Sequence, residues 1–96
     1  NCAQCHRPGG PTPSTMDLRY STTLANTNAC NATPLQGRMG NPAALLVAPG
    51  APENSLVIER TALLDMHGMP PFGSNIVDAA GVTLLTEWIA GLSGCN

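Results

Sequence analysis

Cys2-Ala3-Gln4-Cys5-His6 lies at the start of the chain, and the spacing of its reactive side chains decides what the other residues fold around. Two thiols three positions apart, followed directly by an imidazole, form the haem attachment pattern Cys-x-x-Cys-His. In that pattern the thiols add across two vinyl groups of the haem as thioethers, and the adjacent His reaches the iron. The motif therefore predicts one covalent haem c, bound through Cys2 and Cys5, with His6 as the proximal metal ligand.

Two other interpretations of the motif are open. A zinc site would use its three side chains and would need a fourth ligand, for which Cys30, Cys95 and His67 are candidates. A thioredoxin-like redox Cys-x-x-Cys would lie in a βαβ unit, and the sequence has no such alternation of elements. We therefore favour haem as the cofactor.

A proline-rich loop supplies a candidate for the second axial ligand. Residues 65–75 hold two prolines and two glycines, which predict a loop in place of regular structure. Met69 precedes Pro70 and Pro71, which extend and stiffen the backbone there and so hold the thioether in one place. We predict Met69 as the second metal ligand and count Pro70 among the cofactor-binding residues. His67 is the alternative ligand, and an unliganded Met69 would be a gap-filling core residue.

Further contacts around the haem are predicted for two arginines and for the loop after the motif. Arg38 and Arg60 are candidates to pair with the haem propionates, and ordinary solvated surface is the alternative for both. The ring N–H of His6 is expected to donate to a backbone carbonyl of the following loop, with Pro11 and Pro13 as the candidates.

The composition limits the classes of protein to which the chain can belong. Only 10 % of the residues are charged and 3 % are aromatic, whereas 43 % are hydrophobic, so large rings for a core are few. A haem would supply an apolar body for small side chains to pack around. All four basic residues are arginines and the net charge is −2, which argues against nucleic-acid binding. No apolar run approaches the roughly 20 residues of a membrane-spanning helix.

The two cysteines outside the motif are Cys30 and Cys95. An even number of cysteines outside the motif, in a chain poor in Lys and rich in Asn, Thr, Gly and Pro, is typical of a protein from an oxidising compartment. We therefore predict a Cys30–Cys95 disulfide that ties an early loop to the C-terminus, and a periplasmic or extracellular location. Two free buried thiols are the alternative.

Two helices are predicted in the second half of the chain. Pro52 and Glu53 suit the first turn of a helix over residues 53–62. Asp78 suits the N-cap of a final helix over residues 79–91. The apolar face of that helix, with a core tryptophan in it, consists of Val82, Leu85, Trp88, Ile89 and Leu92.

The first half of the chain has weaker signals. Residues 7–15 and 26–42 are rich in Pro, Gly and Asn and predict loops. Residues 21–25 predict a short helix with Ser21 as its N-cap. The apolar run 43–48 is too short to distinguish strand from helix. No internal repeat or second domain is evident.

Beyond the motif, residues 49–57 (PGAPENSLV), 69–71 (MPP) and 78–92 resemble the class I cytochrome c family. The chain is most similar to the bacterial monohaem domains that are fused to, or partnered with, periplasmic dehydrogenases. The resemblance implies an all-α fold: one small domain over residues 1–96, wrapped around one covalent haem, with long Pro- and Gly-rich loops.

The same resemblance implies electron transfer, not catalysis, as the function. His6 and Met69 would occupy opposite faces of the haem, and His/Met ligation raises its potential relative to two histidines. The partner would be another redox protein: a dehydrogenase, an oxidase or another cytochrome. Two alternatives stay open, a haem subunit of a larger conductive or structural assembly and a haem enzyme or gas sensor with an open sixth site.

One departure from the family concerns the helix that usually precedes the motif and packs against the last helix. Only Asn1 precedes Cys2, so we expect this N-terminal helix to be lacking here. The apolar face within residues 82–92 would then need another cover, from a larger protein to which the chain belongs or from a partner subunit.

Overall fold

Helices make up a minor part of the structure. The computed structural model describes residues 2–71 and 75–96, of which 26 % are helical and 4 % lie in β-bridges. The predicted all-α fold is therefore wrong, because most of the chain is irregular. The helical elements are α1 (Leu56–Thr61), α2 (Ala79–Ala90) and two 3₁₀ turns at Leu24–Asn26 and Pro52–Asn54.

Proline, glycine and poor helix formers explain the low helix content. Residues 7–13 and 34–52 hold seven of the nine prolines, and proline removes a backbone donor from a helix. The run 14–33 has no proline or glycine, but half of its residues are Ser, Thr or Asn, whose side chains compete for backbone hydrogen bonds outside a helix. The predicted loops over 7–15 and most of 26–42 are found. The described residues of the predicted loop 65–75 are also irregular. Residues 72–74 of that loop lie outside the described part of the chain.

α2 begins and ends where the sequence predicts. Asp78 caps it, because its Oδ1 accepts a hydrogen bond from the backbone N–H of Gly81 at 2.9 Å. Gly91 ends it, one residue from the predicted boundary, with its N–H bonded back into the last turn. At 12 residues α2 is the longest helix in the described part of the chain, and none there is long and apolar enough to cross a membrane.

The helix predicted over residues 53–62 is divided at Ser55. Ser55 has extended backbone angles, φ −105° and ψ 108°, between the 3₁₀ turn and α1. Its buried hydroxyl accepts from the N–H of Ala48 at 2.9 Å and donates to the carbonyl of Ala51 at 3.1 Å. Both bonds hold Ser55 against the preceding segment, so the backbone there cannot continue a single helix.

The apolar run 43–48 is neither helix nor strand. Leu45 and Val47 form isolated parallel bridges, Leu45 to Ser55 and Val47 to Cys30. The run therefore links the early loop that carries Cys30 to the start of α1. The short helix predicted over 21–25 is a 3₁₀ turn shifted towards the C-terminus, and Thr23, not Ser21, is its N-cap residue.

The hydrophobic core is small and is centred on Ala29, Val47 and Ile89. Ile89 is the fully buried residue of the predicted α2 face, whereas Val82, Leu85 and Leu92 are half-buried. The prediction that Trp88 is a core residue is wrong, because its side chain is 43 % exposed. Partly buried side chains packed against this core are Met16, Leu46, Val57, Ile58 and Leu92.

A disulfide closes the fold. The structure joins Cys30 to Cys95, as the sequence predicts, with the two Cα atoms 5.7 Å apart. That separation lies in the usual range for a disulfide. The bridge attaches the segment that follows α2 to the early loop, next to the Val47 bridge.

An ion pair between the exposed Arg19 and the half-buried Asp17 gives a pH-dependent prediction. Arg19 donates two hydrogen bonds to the Asp17 carboxylate, at 2.9 and 2.7 Å, and they lower the pKa of Asp17 from its ordinary 3.8 to about 2. Because the folded pKa is depressed, this pair's stabilisation is present above pH 3.8 and is lost as the pH falls through about 2. An NMR titration of the Asp17 carboxyl carbon should give a midpoint near 2, and Arg19→Gln should return it towards 3.8. A midpoint near 3.8 with Arg19 present would contradict the assignment.

Candidate haem-binding site

The motif residues form one tight turn. The N–H groups of Cys5 and His6 both donate to the carbonyl of Cys2, at 3.2 and 2.9 Å, and the N–H of Arg7 donates to the carbonyl of Cys5. Both thiols are free, Cys2 exposed and Cys5 half-buried. Two accessible thiols on a single turn are available for covalent attachment to one cofactor.

The loop after the motif folds back onto it. A Cβ atom at Gly10 would lie 2.0 Å from the carbonyl oxygen of Cys5, so only glycine permits this return. Further along, the N–H of Leu18 donates to the carbonyl of His6 at 2.8 Å. The backbone of His6 is therefore fixed from both sides. Gly10 is a structural requirement of the site that sequence reasoning missed.

The His6 side chain is only partly satisfied. Its Nδ1 is buried and has no hydrogen-bond partner among the described residues, so the predicted bond to a carbonyl of Pro11 or Pro13 is not formed. Burial also lowers the pKa of His6 below 6.5, which favours the neutral imidazole that binds metals. A buried ring nitrogen without a partner is costly, and the described residues supply none for Nδ1 of His6.

An apolar cavity of about 220 Å³ lies beside the motif, and we call it the motif cavity. Its walls come from the motif, the early loop, the central segment and both α-helices. The lining residues are Cys2, Leu18, Leu24, Thr27, Ala29, Val47, Val57, Thr61, Leu85 and Trp88.

The walls of the motif cavity suit an apolar group. Its two threonines donate their hydroxyls to backbone carbonyls, Thr27 to Leu24 at 2.7 Å and Thr61 to Val57 at 2.9 Å. Both hydroxyl protons are therefore used within the protein. The volume is below the roughly 300–1,000 Å³ of most ligand pockets, so a group seated there extends beyond it. Of the residues predicted to attach or ligate a haem, Cys2 lines the motif cavity, whereas Cys5, His6 and Met69 do not.

The predicted sixth ligand lies in the loop that follows α1. Met69 is half-buried, and its N–H donates to the carbonyl of Arg60 at 2.9 Å. Neither Met69 nor Pro70 is among the residues that line the motif cavity. Within the same loop, His67 and Met66 are exposed, Met66 by 89 %. Burial therefore distinguishes Met69 from the other candidate ligands, but its ligation stays a prediction.

Both arginines assigned to the propionates bond to backbone carbonyls. The Arg38 guanidinium donates to the carbonyl of Ala44, and the Arg60 guanidinium donates to that of His67 at 3.0 Å. No carboxylate in the described part of the chain lies in ion-pair contact with either arginine. A second cavity, of about 340 Å³, is lined by Gln36, Met39, Arg60 and His67.

The structure weighs against the zinc interpretation of the motif. Cys30 and Cys95, two of the three proposed fourth ligands, are joined to each other. Across residues 2–71 and 75–96, no group of three or more His, Cys, Asp or Glu side chains is placed to hold a metal ion. Of the three proposed fourth ligands, His67 alone lies outside the disulfide.

The chain was compared with protein-family models, curated proteins and solved structures, and none of them matches it. The class to which it belongs must therefore be inferred from its own residues and their geometry.

Proposed function

We propose that the chain is a c-type cytochrome domain that transfers electrons through one covalent haem c. Cys2 and Cys5 form the thioether bonds, and His6 and Met69 are the axial ligands. The observation that supports this most strongly is the position of Cys2: its free thiol lines an apolar cavity, on the same turn as His6, whose buried Nδ1 has no partner among the described residues.

The residues of the chain have distinct tasks in this proposal. When bound, the haem supplies an iron that gains and loses one electron. Each motif thiol would form a thioether with a vinyl group of the haem, and the two bonds would fix the cofactor to this turn. The apolar walls of the motif cavity exclude water from one haem face, and the lowered pKa of His6 keeps the imidazole in its ligand form.

Two filled axial positions leave no place on the iron for a substrate, which favours a carrier over an enzyme. The partner in this proposal is a redox protein, such as a dehydrogenase, an oxidase or another cytochrome, that docks transiently. Only 10 % of the residues are charged, so apolar and polar contacts would contribute more to docking than electrostatic steering. The Cys30–Cys95 disulfide supports a periplasmic or extracellular location.

Membership of a larger haem assembly is the second candidate function. Leu84 and Trp88 lie one turn apart on α2 and are 67 % and 43 % exposed. An exposed apolar stripe on a helix favours a further protein surface against it. The size of the native particle distinguishes an assembly from a single carrier domain.

Redox titration and carbon monoxide binding test the proposed function together. The haem-loaded protein should show one reversible one-electron wave, and its reduced form should bind carbon monoxide slowly, because the sixth ligand must leave first. Fast carbon monoxide binding, at a rate that Met69→Ala does not change, would instead identify an open sixth site and favour a haem enzyme or gas sensor.

A further inference from the structure

The loop that carries Met69 folds back onto a single residue of α1. The Arg60 carbonyl accepts the N–H of Met69 at 2.9 Å, and the Arg60 guanidinium donates to the carbonyl of His67 at 3.0 Å. Arg60 therefore bonds the residues on either side of Gly68, one through its backbone and the other through its side chain.

The loop between these contacts is tightly wound. The N–H of His67 donates to the Asp65 carboxylate at 2.8 Å, and the buried Gly68 donates to the Asp65 carbonyl at 2.9 Å. A Cβ atom at Gly68 would lie 2.3 Å from the Leu63 carbonyl oxygen. The Asp65 hydrogen bonds and the close packing of Gly68 leave the loop little room to change conformation. A displacement of the His67 carbonyl is therefore expected to move Met69.

We propose that Arg60 is a positioning residue for Met69, acting through the His67 carbonyl, and is not primarily a propionate partner. This proposal rests on the proposed function, in which the Met69 thioether binds the iron. A thioether on a flexible side chain is a weak ligand, so the loop must hold it in place. A charged donor on a helix is well suited to that task, because hydrogen bonds from ionised groups are the stronger ones.

The test compares Arg60→Gln with Arg19→Gln in the haem-loaded protein, by titrating the ferric haem with imidazole. Arg19 is a matched control, because it is an arginine whose guanidinium bonds to Asp17 and not to the Met69 loop. Loss of one charge-assisted hydrogen bond should raise the apparent imidazole affinity about tenfold in Arg60→Gln. The control should stay close to the unmodified protein.

Two further measurements separate the possible outcomes. Amide exchange of Met69 should accelerate in Arg60→Gln whichever group ligates the iron, so it reports the loop contact independently of the proposed function. Met69→Ala should raise imidazole affinity further than Arg60→Gln, and a failure there would contradict the proposed ligand. A shifted potential in Arg60→Gln with unchanged imidazole affinity and unchanged exchange would instead show a propionate role and overturn the proposal.

A conservative variant covers the case in which Arg60→Gln does not fold. Arg60→Lys keeps the positive charge and an N–H donor group but loses the planar guanidinium, so it should raise imidazole affinity by a smaller factor. Affinity and Met69 exchange both equal to those of the unmodified protein would also overturn the proposal.

Discussion

Replacing Cys30 and Cys95 together with alanine is expected to lower the free energy of unfolding by about 4 kcal/mol. The disulfide spans a sequence separation of 65 residues, and closing so long a loop removes much of the entropy of the unfolded chain. Urea unfolding of the haem-loaded protein under non-oxidising conditions, followed by circular dichroism, measures the difference.

The small core makes this effect large relative to total stability. The buried hydrophobic residues in the described part of the chain are few, and half of them are alanines: Ala29, Ala44, Val47, Ala48, Leu56 and Ile89. Small side chains remove little apolar area from water, so cross-links must supply a greater share of the stability. Leu35→Ala, at an exposed position between the two cysteines, is a control that should change stability little. A loss below about 1 kcal/mol in the cysteine variant would contradict a structural role for the bridge.

Substituting Met69 with alanine should remove the far-red absorption of a Met–Fe(III) bond and lower the midpoint potential. A fall on the order of 0.1 V is expected, because the axial ligand is a principal determinant of haem potential. Absorption spectra and a redox titration of the haem-loaded variant measure both changes. The expected direction follows from replacing a thioether with water or an imidazole, each of which favours Fe(III) more than a thioether does.

The same loop offers two controls for Met69→Ala. Met66 is 89 % exposed, so Met66→Ala should leave the spectrum and the potential unchanged. His67→Ala addresses the alternative ligand and should also leave the far-red band in place. If His67→Ala alters the ligand spectrum and Met69→Ala does not, the assignment of Met69 is wrong and His67 is the ligand.

Local signals were sufficient for some elements of the fold. α2 has a periodic apolar face, an N-capping Asp78 and a terminating Gly91, and these lie within one segment of sequence. The run 43–48 was undecidable for the opposite reason. Its conformation depends on bridges to Cys30 and Ser55, which are distant in sequence. The all-α prediction was wrong because it took its helix content from the family resemblance, while this chain's prolines and its Ser-, Thr- and Asn-rich run 14–33 favour irregular backbone.

Some features of the candidate site could likewise be predicted from the sequence, and others could not. The motif is five consecutive residues, so it is visible in the sequence, and the Cys30–Cys95 pair followed from counting cysteines. The motif cavity was not foreseen, because its walls come from segments without a shared pattern. Trp88 lines that cavity in place of filling the core. The bond from Arg60 to the His67 carbonyl depends on how the loop returns to α1, which no spacing rule predicts.

Covalent attachment of haem is the central claim, and the mass of a proteolytic fragment tests it most directly. The protein should be produced in a periplasm that attaches haem to Cys-x-x-Cys-His motifs, then unfolded in acid and digested. One haem per chain should remain bound through denaturation, on the fragment that contains Cys2 and Cys5, and the double variant Cys2→Ala, Cys5→Ala should lack it. A colourless fragment with two free thiols, obtained from the unsubstituted protein, would contradict the claim.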